Sequence, residues 1–189
     1  RKQELIDLAA SFIRIPIENP SPQFAITSAQ MGDLVHQYLK SKGLLTKKHQ
    51  RKNSALITVV GDAPLNGLPG PRLLFSGHSD VVPAGDPSKW SFKPFSGEVI
   101  DGMLLGRGAS DMKGGLATLL FVSGLLQELA PSLNLKGSLG VIATPDEESG
   151  GVELASLLEQ GLIKGDACLI GEPTYSHHPI VGEKGWLLI

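Results

Sequence analysis

The 189-residue chain carries 17 Lys and Arg against 19 Asp and Glu, a net charge of −2, and is 41% apolar. That is apolar material for one domain of ordinary size, and its balanced charge argues against a nucleic-acid partner, which calls for a broad positive field. The single cysteine, Cys168, excludes an internal disulfide, and no apolar run is long enough to span a bilayer.

Leu5, Leu8, Ala9, Phe12 and Ile13 recur at helical spacing until Pro16 stops them. Asn19-Pro20-Ser21-Pro22 is turn chemistry. A second amphipathic helix follows, with Met31, Leu34, Val35, Tyr38 and Leu39 on one face and Gly43 as its stop. The basic run Lys47, Lys48, Arg51 and Lys52 reads as a solvated loop. Ser54 to Val60 reads as a strand, Gly61 to Pro71 as a Gly- and Pro-rich loop, and Arg72 to Ser76 as a short buried strand leading to Gly77-His78.

Gly97 to Leu105 predicts a hairpin turning at Asp101-Gly102. Asp111 to Leu129 is the longest helical stretch, and Gly137 to Thr144 is another apolar strand. A helix over Val152 to Glu159 and a strand over Asp166 to Ile170 complete the pattern. Cys168 reads as a buried residue of that last strand rather than a nucleophile, and fits a reducing, cytoplasmic setting. Strands alternating with helices imply an α/β fold, a mostly parallel sheet sandwiched by helices. The chain begins at Arg1 without an initiator Met and shows no secretory signal, while Trp186 to Ile189 reads as a strand cut in mid-run. It therefore reads as a truncated piece of a longer protein.

Metal-ligating residue types gather at the ends of the predicted strands. His78 and Asp80 follow one strand, Glu147 and Glu148 the next, Glu172 the third, and Asp111 stands just before the long helix. In open α/β sheets sites form beyond the carboxyl ends of strands, so these residues can converge. Singly, each has an ordinary reading: a His hydrogen-bonded in a turn, a solvated acidic pair, an exposed Glu before a proline. Three clusters at three strand ends, each flanked by Gly or Pro, are harder to dismiss. One imidazole with several carboxylates suits a divalent ion such as zinc, and adjacent carboxylates need a cation if buried. Gly106-x-Gly108 before a helix does not make a dinucleotide site, because Asp111 occupies the place of the third glycine and would repel a pyrophosphate.

Gly77-His78-Ser79-Asp80-Val81-Val82-Pro83, Trp90, Pro94-Phe95, Asp101 through Gly115, Asp146-Glu147-Glu148 and Gly171-Glu172-Pro173-Thr174 follow one another in an order that resembles a known family. It contains acetylornithine deacetylase, succinyl-diaminopimelate desuccinylase, aminoacylase and glutamate carboxypeptidase, and the likeness leans toward the desuccinylase and deacetylase branch. The resemblance implies a zinc-exopeptidase-like catalytic domain and a dizinc hydrolase of small N-acyl amino acids or peptides, with cobalt or manganese able to replace zinc. His78, Asp111 and Glu172 would hold the first ion, Asp111 would bridge, and Glu148 would bind the second. Of the catalytic residues, Glu147 would be the general base and acid, and Asp80 would fix the ring and tautomer of His78. The peptide bond after Asp111 would be cis.

The same resemblance implies that residues 1–180 are the first part of the catalytic domain and 181–189 the start of an inserted lid or dimerisation domain. A further histidine for the second ion would lie beyond the chain. His177 and His178 match neither missing position and read as loop residues. The full-length protein would be a homodimer, with no nucleic-acid or membrane partner. Metallo-exopeptidase activity is the alternative, as is a non-catalytic metal-binding role for these 189 residues alone.

Overall fold

The computed structural model describes residues 1–174, 178 and 180. Five strands form one sheet in the order β1-β2-β6-β3-β7: β1 (Leu45–His49), β2 (Thr58–Pro64), β3 (Arg72–His78), β6 (Ser138–Thr144) and β7 (Ala167–Ile170). β6, β3 and β7 run parallel; β2 runs against β6, and β1 against β2. Four of the five strands thus point the same way, as the alternation of elements predicts. β4 (Glu98–Ile100) and β5 (Met103–Leu105) form the separate hairpin. Its turn residues Asp101 and Gly102 have φ of 52° and 79°, the pairing a tight two-residue turn requires.

The strands bury opposite faces with period two. Val59, Phe75, Leu139, Val141 and Ala143 face the larger core with Phe12 and Ile17, while Val60, Leu74 and Ile142 face a smaller one with Leu157 and Ile163. α1 (Lys2–Ile13), α2 (Phe24–Ser41) and α3 (Lys113–Leu129) supply the first layer, and α4 (Val152–Glu159) packs on the second face. Phe12, Met31, Leu39, Leu116 and Leu120 are fully enclosed, each contributing roughly 1.5–3 kcal/mol by burial. α2 ends where the sequence expects: Gly43 takes φ of 81°, and the Leu44 N–H donates to the Leu39 carbonyl, 3.1 Å away.

Four expectations need correction. The basic run is loop only in its second half: Lys47 and Lys48 lie in β1, where Lys48 pairs with Asp33 at 2.6 Å, while Arg51 and Lys52 lie in the turn that follows and Arg51 reaches Glu153 at 3.3 Å. β2 starts later than Ser54 and continues through Gly61 to Pro64, because it is an interior strand held on both sides by β1 and β6. A Cβ on Gly61 would sit 3.0 Å from Leu39, so the glycine that suggests a loop serves close packing. α3 begins at Lys113, leaving Asp111 in the turn before it. Cys168 is exposed, because β7 is an edge strand that nothing among the described residues covers. The strand expected over Trp186 to Ile189 and the segment 181–189 lie outside the described residues, as does His177.

Candidate metal centre

The register of the parallel strands sets the site. His78, the last residue of β3, stands beside Thr144 at the end of β6, and Ser76 stands beside Ile170 at the end of β7. The chain leaving β6 makes a short 3-10 turn, Glu147–Ser149, and the chain leaving β7 reaches Glu172 two residues on. Three strand ends therefore deliver His78, Glu147, Glu148 and Glu172 to one edge of the sheet. Asp111 joins them from the turn before α3, and the Asp111–Met112 peptide bond is cis.

Met112 is fully buried and seats that turn. Its Sδ lies 3.2 Å from the His78 amide nitrogen, and a Cβ on Gly77 would meet its methyl at 2.6 Å. Gly115 and Gly171 approach as closely: a Cβ on Gly115 would lie 2.1 Å from the Gly171 carbonyl oxygen. These contacts hold the Asp111 and Glu172 loops against β3.

His78 is buried, and its Nε2 is the point of convergence. Asp111 Oδ1 and Glu172 Oε1 each lie 3.2 Å from it, and Glu147 Oε2 lies 3.8 Å away. Behind the ring, Nδ1 lies 3.0 Å from the Asp80 carbonyl oxygen and 3.4 Å from Asp80 Oδ1. Asp80 has no exposed surface. Its Oδ1 accepts the Glu147 N–H at 3.2 Å, and its Oδ2 accepts the Glu148 N–H at 3.1 Å and an N–H of Asn19 at 2.9 Å. One buried carboxylate thus steadies both the imidazole and the turn that carries the two glutamates.

Two groups of donors each fit within 4.8 Å: His78, Glu147 and Glu172, and His78, Asp111 and Glu148. Among the described residues, the only cationic partner of Asp111, Glu147 and Glu172 is His78. Four carboxylates around one imidazole are not balanced in charge. Burial, then the neighbouring acids, push the Glu147 and Glu148 carboxyls above their ordinary range, with His78 only partly offsetting this. For His78, burial alone would lower the pKa, but its bonds to Asp80 and Glu172 outweigh that and raise it to about 11. A proton on this ring stands in for the positive charge that the donor set calls for. The residues fit a divalent cation: oxygen-rich, with one imidazole fixed from behind.

The structure brings together all six residues singled out in the sequence: His78, Asp80, Asp111, Glu147, Glu148 and Glu172. Glu147 itself falls in one of the two donor groups, with His78 and Glu172. His36 bonds Thr46 at 2.7 Å and His49 lies on β1, both outside the centre, and His178 is exposed in a bend. Sequence reasoning gives no role at the site to three further residues. Lys113 is fully buried, donates to the Ile15 carbonyl at 2.6 Å, and is lowered by burial to about 7 despite the attraction of Asp80 and Glu18. Asp146, also buried, accepts the Glu153 N–H at 2.9 Å and so ties the glutamate turn to α4. Asn19 reads as turn chemistry but points its amide into the site.

A family model described as Peptidase family M20/M25/M40 matches residues 74–182. The chain is 37% identical over 174 residues to a succinyl-diaminopimelate desuccinylase of Rhodospirillum centenum, covering 89% of this chain and 43% of that protein. It is 44% identical over 117 residues to the same-named protein of Vesicomyosocius okutanii, covering 60% and 31%. Among solved structures, an M20 family metallo-carboxypeptidase from Sulfolobus solfataricus superposes with a TM-score of 0.71 at 23% identity, over 89% of this chain and 37% of that one. Human carnosine dipeptidase 1 gives 0.73 at 22%, over 89% and 38%. The likeness to the solved structures is one of fold. The chain spans less than half the length of the curated relatives it matches.

Proposed function

The chain belongs to peptidase family M20/M25/M40, and from that premise we propose that it supplies most of the metal centre of a dizinc hydrolase cleaving the amide bond of small N-acyl amino acids. The observation that carries this is the convergence of Asp111, Glu172 and Glu147 on His78 Nε2, with no other cation paired to them among the described residues. We assign His78 and Glu172 to one zinc ion, Glu148 to the other, and Asp111 to both. Zinc held there would polarise the scissile carbonyl and acidify a water molecule.

The chain's own residues do the rest. Asp80, fixed by three N–H donors, holds His78 with Nε2 turned toward the carboxylates. Glu147 is the proton carrier: its carboxyl is raised by burial and by like-charged neighbours, which suits a group that accepts a proton at Oε2 and hands it to the departing amine. Its neighbour Glu148, on the same turn, serves as a ligand; the two backbone N–H groups on Asp80 hold these side chains in their separate places.

Substrate preference follows the more similar relatives, which are named as desuccinylases. The dipeptidase and carboxypeptidase among the structural neighbours favour a second reading, a metallo-exopeptidase. A panel of N-succinyl and N-acetyl amino acids and dipeptides, given to the zinc-loaded full-length protein, separates the two. Turnover of the N-acyl substrates is expected; turnover of dipeptides alone would select the exopeptidase, and turnover of none would refute both. The proposal extends to residues 1–180 as the first part of the catalytic domain, 181–189 as the start of an inserted domain, a cytoplasmic homodimer, and little hydrolysis from these 189 residues alone. No helix among the described residues is long and apolar enough to cross a membrane.

A further inference from the structure

We propose that Asn19 is a positioning residue of the metal centre: its side-chain amide ties Asp80 to the Glu147–Ser149 turn and so fixes Glu147 and Glu148 relative to His78. The proposal rests on the metal-centre reading above. Asn19 lies far from the motifs in sequence, yet it is buried and its Nδ2 donates twice, to Asp80 Oδ2 at 2.9 Å and to Ser149 Oγ at 2.7 Å. Both amide hydrogens are thereby used. The orientation of the amide follows from its partners: a carboxylate only accepts, and the Ser149 hydroxyl already donates to the Asp146 carbonyl at 3.3 Å. The backbone holds Asn19 in place, its N–H donating to the Val81 carbonyl and the Val81 N–H to the Ile17 carbonyl, each at 2.9 Å.

Asparagine is specified by these contacts. Asp80 is sealed from solvent, so in the intact protein its carboxylate relies on protein donors. Alanine would leave Oδ2 with the Glu148 N–H alone, free to turn away from the ring and the glutamate turn. Aspartate would keep the shape but set a second carboxylate against Asp80 at about the present 2.9 Å. Either change reaches the candidate ligands without touching them.

The test is zinc affinity of the full-length protein, by competition with a chromophoric chelator, for wild type, Asn19→Ala, Asn19→Asp, Ser149→Ala and the Asn19→Ala/Ser149→Ala pair. Folding of each metal-free variant is checked by circular dichroism. A loss of roughly 10–100-fold is expected for both Asn19 variants, the usual scale for residues that orient ligands. A smaller loss is expected for Ser149→Ala, and the pair should be no weaker than Asn19→Ala alone, since both changes cut one chain of bonds. A residue with a merely structural role would lower melting temperature and leave the affinity of the folded variants unchanged. That result overturns the proposal, as do additive losses in the pair. If Asn19→Ala fails to fold, unchanged affinity in Ser149→Ala overturns it alone. A wild-type protein that binds no zinc overturns the metal centre itself, and this proposal with it.

Discussion

Gly115→Ala separates helix propensity from site geometry. In an ordinary helix interior the change stabilises by roughly 0.5–1 kcal/mol. Here the new Cβ would lie 2.1 Å from the Gly171 carbonyl oxygen, about 1.3 Å inside the 3.4 Å at which ordinary contact begins. That oxygen cannot swing aside easily, because the Gly171 N–H is bonded to the Ser76 carbonyl at 3.1 Å. Overpacking against fixed backbone costs about 1–3 kcal/mol, so a net loss of about 1–2 kcal/mol is expected. The displacement is passed to Glu172, the next residue, and zinc affinity should fall about 10-fold or more. Urea unfolding of the metal-free protein and chelator competition measure the two effects. Gly124→Ala, in the same helix, is the control: its Cβ meets the Lys42 side chain, Cγ at 2.8 Å, and no backbone, so the crowding offsets part of the helix gain while zinc affinity should stay near wild type. A Gly115→Ala protein as stable as wild type with unchanged zinc affinity would refute the packing argument.

Glu147→Gln should retain its zinc while kcat falls about 10²–10⁴-fold; loss of one zinc equivalent would instead make Glu147 a ligand, as its 3.8 Å approach to His78 Nε2 permits. Zinc uptake at neutral pH should release about one proton from His78, because that ring is raised to about 11 when metal-free and must be neutral to ligate; titration in buffers of different ionisation enthalpy reads this, and no release would contradict the assignment. The His78 contribution to metal-free stability is complete below its unfolded pKa of 6.5 and is lost as pH rises through about 11. Lys113 opposes it: lowered to about 7, it makes stability rise with pH between there and its unfolded 10.5. In Lys113→Met that opposing slope is gone, so metal-free stability should fall more steeply from about pH 7.5 to 9.5 than in wild type, measured by urea unfolding at each pH.

Much of this was legible in the residues. The 3.6-residue spacing in α1 and α2, the Asp101-Gly102 turn and the apolar strands ending at His78 and Thr144 each have a local cause. The ligand candidates were legible because parallel strands discharge their carboxyl ends on one side, so His78, Glu147 and Glu172 had only one place to meet. What was not legible depends on partners distant in sequence. Lys47 and Lys48 become strand residues through pairing with Val60 and Val59. Gly61 is strand because it pairs with Thr46 and Val141, and glycine because Leu39 lies close above it. The apolar run around Cys168 signals burial, but an edge strand needs a covering element, and the described residues supply none. Asn19 and Lys113 are polar residues whose burial shows only once the N-terminal segment lies beside Asp80 and Val81.

The central claim is that the carboxylates around His78 exist to hold metal, with Asp111 shared between two ions. The direct measurement is the metal content of the full-length protein after zinc loading and exhaustive dialysis, by plasma emission spectrometry, for wild type and Asp111→Asn. The account expects close to two zinc ions per chain in wild type and no more than one in the variant. No retained zinc in wild type, or two in both proteins, would contradict it.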